Sequence, residues 1–284
     1  MKLFRHGNPG AERPGLVDAD GVLRDLHGKV DDITGATLSP ASLNLLASID
    51  PSTLPRLDAG VRLGPAVGQV GKMICVGMNY ADHAAETGAP IPEQPVLFMK
   101  ATTAIMGPND DVVIPRGSVK TDWEVELGVV IGTVARDVTV DEALGHVAGF
   151  MVVNDLSERE FQMEHGGQWV KGKSCDTFGP LGPWLVTTDD IPDPQNLDLW
   201  LSVNEHRYQS SNTRNMVFGV AKLVSYISRY MTLMPGDVIS TGTPAGVGLG
   251  LKPPTYLKPG DVMELGIEGL GTQRQVALAH RADR

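Results

Sequence analysis

A mainly β fold of the α+β class is predicted for this chain by two observations. Short apolar stretches of strand length, separated by turn residues, recur from Met73 to the end of the chain. Against them stands one stretch of good helical periodicity, Val217 to Tyr230, where Val220, Leu223, Val224 and Ile227 share a face. Many short strands with few helices favour a mainly β core over a doubly wound sheet.

Taken in order, residues 1–68 read as a small N-terminal unit and residues 69–284 as the main domain. In the first unit, Leu16-Val17-Asp18-Ala19-Asp20-Gly21-Val22-Leu23 sets Asp-Gly between apolar stretches, a hairpin signal. Ser39 to Ile49 predicts a short helix, with Ser39 starting it before Pro40 in the first turn. Pro51 to Gly68 reads as a linker or docking segment. From Lys72 the character changes. Met73 to Gly77 is an apolar strand, and Asn79 to Glu86 predicts a helix with Asn79 as its cap. Further strands are expected at Val96–Met99, Val125–Ile131, Val147–Val153, Leu197–Val203, Val238–Thr241 and Val262–Ile267.

Composition narrows the function classes. With 42% apolar and 20% charged residues, the 284-residue chain is ordinary for a globular protein. A net charge of −10 and the lack of a basic run argue against nucleic-acid binding, which needs clustered Lys and Arg. Two cysteines, Cys75 and Cys175, are too sparse for a disulfide framework or a Cys-rich zinc site. Neither an apolar leader nor a membrane-length apolar run is present. A cytoplasmic enzyme is the expectation.

The most informative segment is Asp122 to Gly132. Strand alternation puts Trp123, Val125 and Leu127 on one face and Glu124 and Glu126 on the other. The strand continues as Val129-Val130-Ile131, apolar on both faces, so the two carboxylates stand at the mouth of a buried strand. Like charges there repel, and burial worsens the repulsion. A hard divalent cation would relieve both effects; an edge strand with one solvated polar face would also show this pattern. A second apolar strand ends in Asn154-Asp155, and Asp155 reads either as a third ligand or as a turn residue capping the next segment.

His83 and Glu86, three apart on a short helix, share a face. They suit either a general base oriented by a carboxylate or a surface ion pair. Gly167 to Ser174 matches the phosphate-loop pattern G-x-x-x-x-G-K-[ST], yet no strand precedes it and Phe178-Gly179-Pro180 soon follows, so nucleotide hydrolysis is not expected. Thr241 to Gly248 is a glycine-rich loop that could admit an anion to its backbone N–H groups or simply turn the chain.

Several segments together resemble the fumarylacetoacetate hydrolase superfamily: Val76 to His83, Leu97 to Lys100, Asp122 to Gly128, Asn154-Asp155, Gly172-Lys173-Ser174, Pro235-Gly236-Asp237, Thr241 to Pro244 and Ile267 to Gly271. The resemblance implies a mixed β-sandwich or β-roll catalytic domain behind a small N-terminal α/β domain, in a homodimer. It implies metal ligands at Glu124, Glu126 and Asp155, and a lid helix carrying His83 and Glu86. It places Lys173 at the substrate's carboxylate or enolate, and Lys100, Arg159, Gln162 and Thr243 around the substrate. Some family members carry a further acidic ligand where this chain has Asn79.

A small 2-oxo acid is thus the expected substrate and Mg²⁺ the expected cofactor, with Mn²⁺ or Ca²⁺ also compatible with oxygen ligands. Among family members, hydrolases of 2,4-diketo-3-deoxy sugar acids, and bacterial sequences labelled ureidoglycolate lyases, look most alike to this chain. Cleavage of a C–C bond in an acylpyruvate or diketo sugar acid is the expected reaction. Ureidoglycolate elimination, oxaloacetate decarboxylation and 2-hydroxymuconate-type isomerisation would use the same site, and a non-catalytic scaffold would keep only the fold. Gln168, Trp169 and Arg214 are candidates for choosing among these outcomes.

Overall fold

Residues 1–88 and 90–280 are described by a computed structural model. Each expected strand forms, and the strands assemble into two main sheets. The larger has nine strands, in the order Leu23–Asp25, Arg13–Val17, Lys2–His6, Leu185–Thr187, Val147–Asn154, Val125–Ile131, Val238–Ser240, Met73–Gly77 and Val96–Lys100. The smaller has five, in the order His206–Asn212, Asp198–Val203, Val262–Ile267, Gly271–Leu278 and Val112–Val113.

The Val125–Ile131 strand explains the arrangement. It pairs antiparallel with both Val147–Asn154 and Val238–Ser240, and all seven of its residues are buried. Val125, Leu127, Val129 and Ile131 join a cluster with Leu199, Leu201, Leu265 and Ile267 of the five-stranded sheet. Val130 faces a second cluster with Met73, Cys75, Met151 and Val153. Two cores on opposite faces of one sheet require a strand that is apolar throughout.

The first 68 residues add to the same framework. Lys2 and Leu3 pair with Val186 and Leu185, so the sheet runs across the boundary expected at residue 68. Leu3, Leu16, Leu26 and Ile33 share the second cluster with Val130 and Leu185. The hairpin forms with Val17 opposite Leu23, and Asp18 Oδ1 accepts the Asp20 and Val22 amides. The Pro40–Ala47 helix starts with the Ser39 hydroxyl accepting from Ser42 N. The segment after it docks: Ala66 and Val67 are buried.

One local expectation is overturned. The Ala81–Thr87 helix is capped at Tyr80, without a side-chain cap bond, and not at Asn79. Asn79 is fully buried; its amide donates to Phe218 O and Thr241 O and accepts from Phe218 N. A buried primary amide satisfies its donors and acceptor with backbone wherever it finds it, and these partners lie far along the chain. The amphipathic helix is Val220–Ser228, burying Val220, Leu223, Val224 and Ile227. No described helix is long and apolar enough to cross a membrane.

Candidate active site

Strand register brings the acidic residues together. Asn154 sits opposite Val125, so Asp155 continues past the strand end beside Glu124, and Asp155 N donates to Glu124 O at 2.9 Å. Glu124 is fixed from behind, its amide donating to the Asn154 side chain. One carboxylate oxygen from each of Glu124, Glu126 and Asp155 lies within 4.8 Å of the others, and all three residues are buried. Asp155 does not cap the next helix; Glu158 does, accepting from Phe161 N.

The surrounding charge is partly supplied by the chain itself. Lys173 Nζ donates to Glu124 Oε2 at 2.6 Å and Asp155 Oδ2 at 2.8 Å. Lys100 Nζ donates to Asp155 Oδ1 at 2.5 Å and to Leu156 O at 2.9 Å. Arg159 bridges Glu124 Oε1 at 2.6 Å and Asp122 Oδ2 at 2.9 Å, and reaches Gln162 Oε1. A metal alone is therefore not what relieves the cluster's repulsion; three basic side chains take a share, because a buried carboxylate needs a partner wherever one reaches it.

The three carboxyls respond differently. Burial pushes Glu124 up, but the Lys173 and Arg159 charges outweigh it and hold its pKa at about 2. Burial, then the Asp155 and Glu124 charges, raise Glu126 well above the ordinary carboxylate value. Among the described residues Glu126 makes no salt bridge; Ser240 Oγ and Gly242 N donate to its Oε2 at 2.5 and 2.8 Å. Burial lowers the pKa of Lys173, and Asp155 and Glu124 more than reverse this, keeping it charged. An all-oxygen donor set, convergent and carrying one carboxyl without a basic partner, fits a hard divalent cation.

The glycine-rich loop is an anion cradle for the protein's own acids. Gly242 N binds Glu126, Gly246 N binds Glu86, and Gly248 N and Leu249 N bind Asp122 at 2.7 and 3.0 Å. Gly242 and Gly246 have φ of 101° and 100°, open to glycine and strained for other residues. His83 Nδ1 lies 3.5 Å from Glu86 Oε2, so the pair shares a face as expected.

A cavity of about 250 Å³ opens onto this cluster. Glu124, Glu126, His83, Arg159, Gln162, Lys173 and Thr243 line it, and so do Met78, Phe98 and Trp169. Asp155, Glu86 and Lys100 stand behind that first layer. Lys100, expected at the substrate, is instead a fully buried partner of Asp155. Asp122, Ser240 and Phe98 were not among the candidates. Asp122 had a legible signal, lying two and four residues before Glu124 and Glu126 on the same alternating face. The phosphate-loop match encodes no phosphate loop: Lys173 lies in the four-residue Val170–Lys173 helix and faces the carboxylates.

Comparison with known proteins agrees with this architecture. Residues 72–277 match the fumarylacetoacetate (FAA) hydrolase C-terminal family, and the chain belongs to that family. A Burkholderia multivorans protein named as a hydrolase, without a stated substrate, is 61% identical over 282 residues, covering 99% of this chain and 100% of its own. The fumarylacetoacetate hydrolase of psychrophilic Exiguobacterium antarcticum superposes with a TM-score of 0.86 at 39% identity, covering 99% of this chain and 100% of that one. The maleylpyruvate hydrolase of Sphingobium sp. SYK-6, solved with manganese(II) and pyruvate, has a TM-score of 0.82 at 28% identity, with 99% and 100% coverage. The site is that of a hydrolase or isomerase of this family.

Proposed function

We propose that the chain is a divalent-metal-dependent hydrolase that splits the C3–C4 bond of a 2,4-diketo acid, with Mg²⁺ or Mn²⁺ held by Glu124, Glu126 and Asp155. The observation that supports this most directly is the convergence of those three carboxylates beside a cavity that Glu124, Glu126 and His83 line. Three protein oxygens are fewer than a hard divalent cation takes, so an ion held there would have room for substrate and water oxygens. When bound, the ion supplies Lewis acidity to the 2-oxo group and charge to offset a developing enolate.

The rest belongs to the chain. Glu86, held by Gly246 N, lies 3.5 Å from His83 Nδ1, and His83 would take a proton from water. The water oxygen bonds to C4, the C3–C4 bond breaks, and its electron pair passes into the pyruvate enolate. The proton on His83 returns to C3, giving pyruvate and a carboxylic acid. Lys173 would donate its remaining N–H to the enolate, a contribution of about 3 kcal/mol when such a donor is preorganised. A reducing cytoplasm, which the free cysteines Cys75 and Cys175 suit, and a homodimer, which the family resemblance implies, belong to the same proposal.

Steady-state assays of acylpyruvate hydrolysis with and without Mg²⁺ test the reading. His83→Ala is expected to bind Mn²⁺ like the parent while kcat falls ~10²–10⁴-fold. Full turnover by that variant removes His83 as the base. Inactivity of the parent on acylpyruvates, oxaloacetate and ureidoglycolate with metal present would overturn the enzyme itself.

A further inference from the structure

From the carboxylates outward, the cavity changes from charge to carbon. Lys173 Nζ lies 5.0 Å from the Phe98 ring, and Phe98 meets the Trp169 ring at 5.2 Å. The six-membered ring of Trp169 packs against Gly77, where an added Cβ would come within 2.5 Å of the indole. Met78, Met163 and Leu249 complete this wall, with Met163 at the rim, 55% exposed. Met78 is held in the left-handed region at φ 58°, a strained conformation that turns the chain into the cavity wall.

We propose that the group beyond the 2-oxo acid head is short, uncharged and apolar, an alkyl or aryl acyl chain, and that Phe98, Trp169, Met78, Met163 and Leu249 select it. The proposal rests on the reading that the carboxylate cluster receives a 2-oxo acid. Its warrant is the engagement of the polar groups that line the cavity. The Arg159 charge is already paired with Asp122 and Glu124 and also donates to Gln162, and Lys173 gives two of its three N–H donors to Glu124 and Asp155. A second substrate carboxylate would enter beside Glu124 and Glu126 with these cations already engaged. The Thr243 hydroxyl donates to Val125 O and accepts from Gln209, and Gln162 Oε1 accepts from Arg159. A polyhydroxylated tail would leave water for a wall poor in partners, which disfavours it. At about 250 Å³ the space is below the usual ~300–1,000 Å³ of ligand cavities, so the tail is short.

The test is a panel of acylpyruvates of equal length, with an alkyl, a polyhydroxylated or a carboxylate-ended tail, assayed with the Mg²⁺-loaded enzyme. The alkyl substrate is expected to have a kcat/KM at least ~10-fold above the others. Met163→Lys, a change at the exposed rim, is expected to raise kcat/KM for the carboxylate-ended substrate and narrow that gap. A wild-type preference for the charged or hydroxylated tail, or equal rates across the panel, overturns the inference and leaves the proposed hydrolysis standing. An alkyl preference that Met163→Lys does not alter overturns the assignment of Met163 to the wall. Failure of every substrate overturns both proposals together.

Discussion

Glu86 is clasped by Gly246: the amide of Gly246 lies 3.0 and 3.1 Å from the two carboxylate oxygens, so the acid that faces His83 is oriented by the glycine-rich loop. Gly250 closes the same spot from the other side. A Cβ there would lie 2.3 Å from the Glu86 carboxyl carbon. Gly250→Ala should therefore push Glu86 off His83 at little cost to folding, because the atom that yields is the end of a side chain. We expect stability within ~0.5 kcal/mol of the parent and kcat lower by ~10–100-fold, read by calorimetry and steady-state kinetics.

Lys173 competes for the carboxylates that would hold a cation. Lys173→Met removes one positive charge from between Glu124 and Asp155. In metal-free protein Glu124 and Asp155 each lose one basic partner and keep Arg159 and Lys100, so a loss smaller than the ~3–5 kcal/mol of an uncompensated buried charge is expected. Added Mn²⁺ should restore much of the lost thermal stability and bind more tightly than to the parent, while turnover falls. Isothermal titration beside an activity assay reads both; weaker metal binding would place the cation elsewhere.

Glu126 gives a pH-dependent prediction. Its folded pKa is raised above the ordinary value of 4.5, chiefly by burial. Its contribution to stability is therefore full below that value and is lost as pH rises through the folded pKa. Once ionised, Glu126 opposes folding by ~1.4 kcal/mol for each pH unit that separates its folded and unfolded pKa values. Glu126→Gln mimics the protonated form, so without metal its melting temperature should exceed the parent's at pH 8 and match it near pH 4.5. Added Mg²⁺ should raise the parent's melting temperature and leave the variant's unchanged.

Burial pushes the Cys175 thiol up to about 11, and Cys75 also lies well above the ordinary thiol value. At pH 8 only ~0.1% of Cys175 would be thiolate. Iodoacetamide should label the native protein slowly, about tenfold more slowly for each pH unit below the folded pKa, and label the unfolded chain at once. Rapid labelling of native Cys175 at pH 8 contradicts this burial.

The strands were legible because each is an apolar run bounded by turn residues, and Val125–Ile131 and Val262–Ile267 keep their expected bounds. The Ser39 cap was legible because its partner, Ser42, is local. Strand order was not: Val238–Ser240 lies between Val125–Ile131 and Met73–Gly77, a pairing set by tertiary packing. Asn79 escapes local reasoning for the same cause, its partners Phe218 and Thr241 lying 139 and 162 residues on. Alternation placed Glu124 and Glu126 together; the arrival of Asp155 depended on the register of a second strand. Nothing in the spacing around Lys173 placed its ammonium among these acids; the family resemblance implied only that it would meet the substrate.

Glu86 comes from one stretch of chain and Asp122 and Glu126 from another, and each takes its bearing from amides between Gly242 and Leu249. That short span works as a common datum, so tilting it would misalign Glu86, Glu126 and the Asp122 partner of Arg159 at once. Anyone recombining this enzyme with a relative should transplant the span whole, together with all three acids, because a junction inside it would split one alignment between two parents.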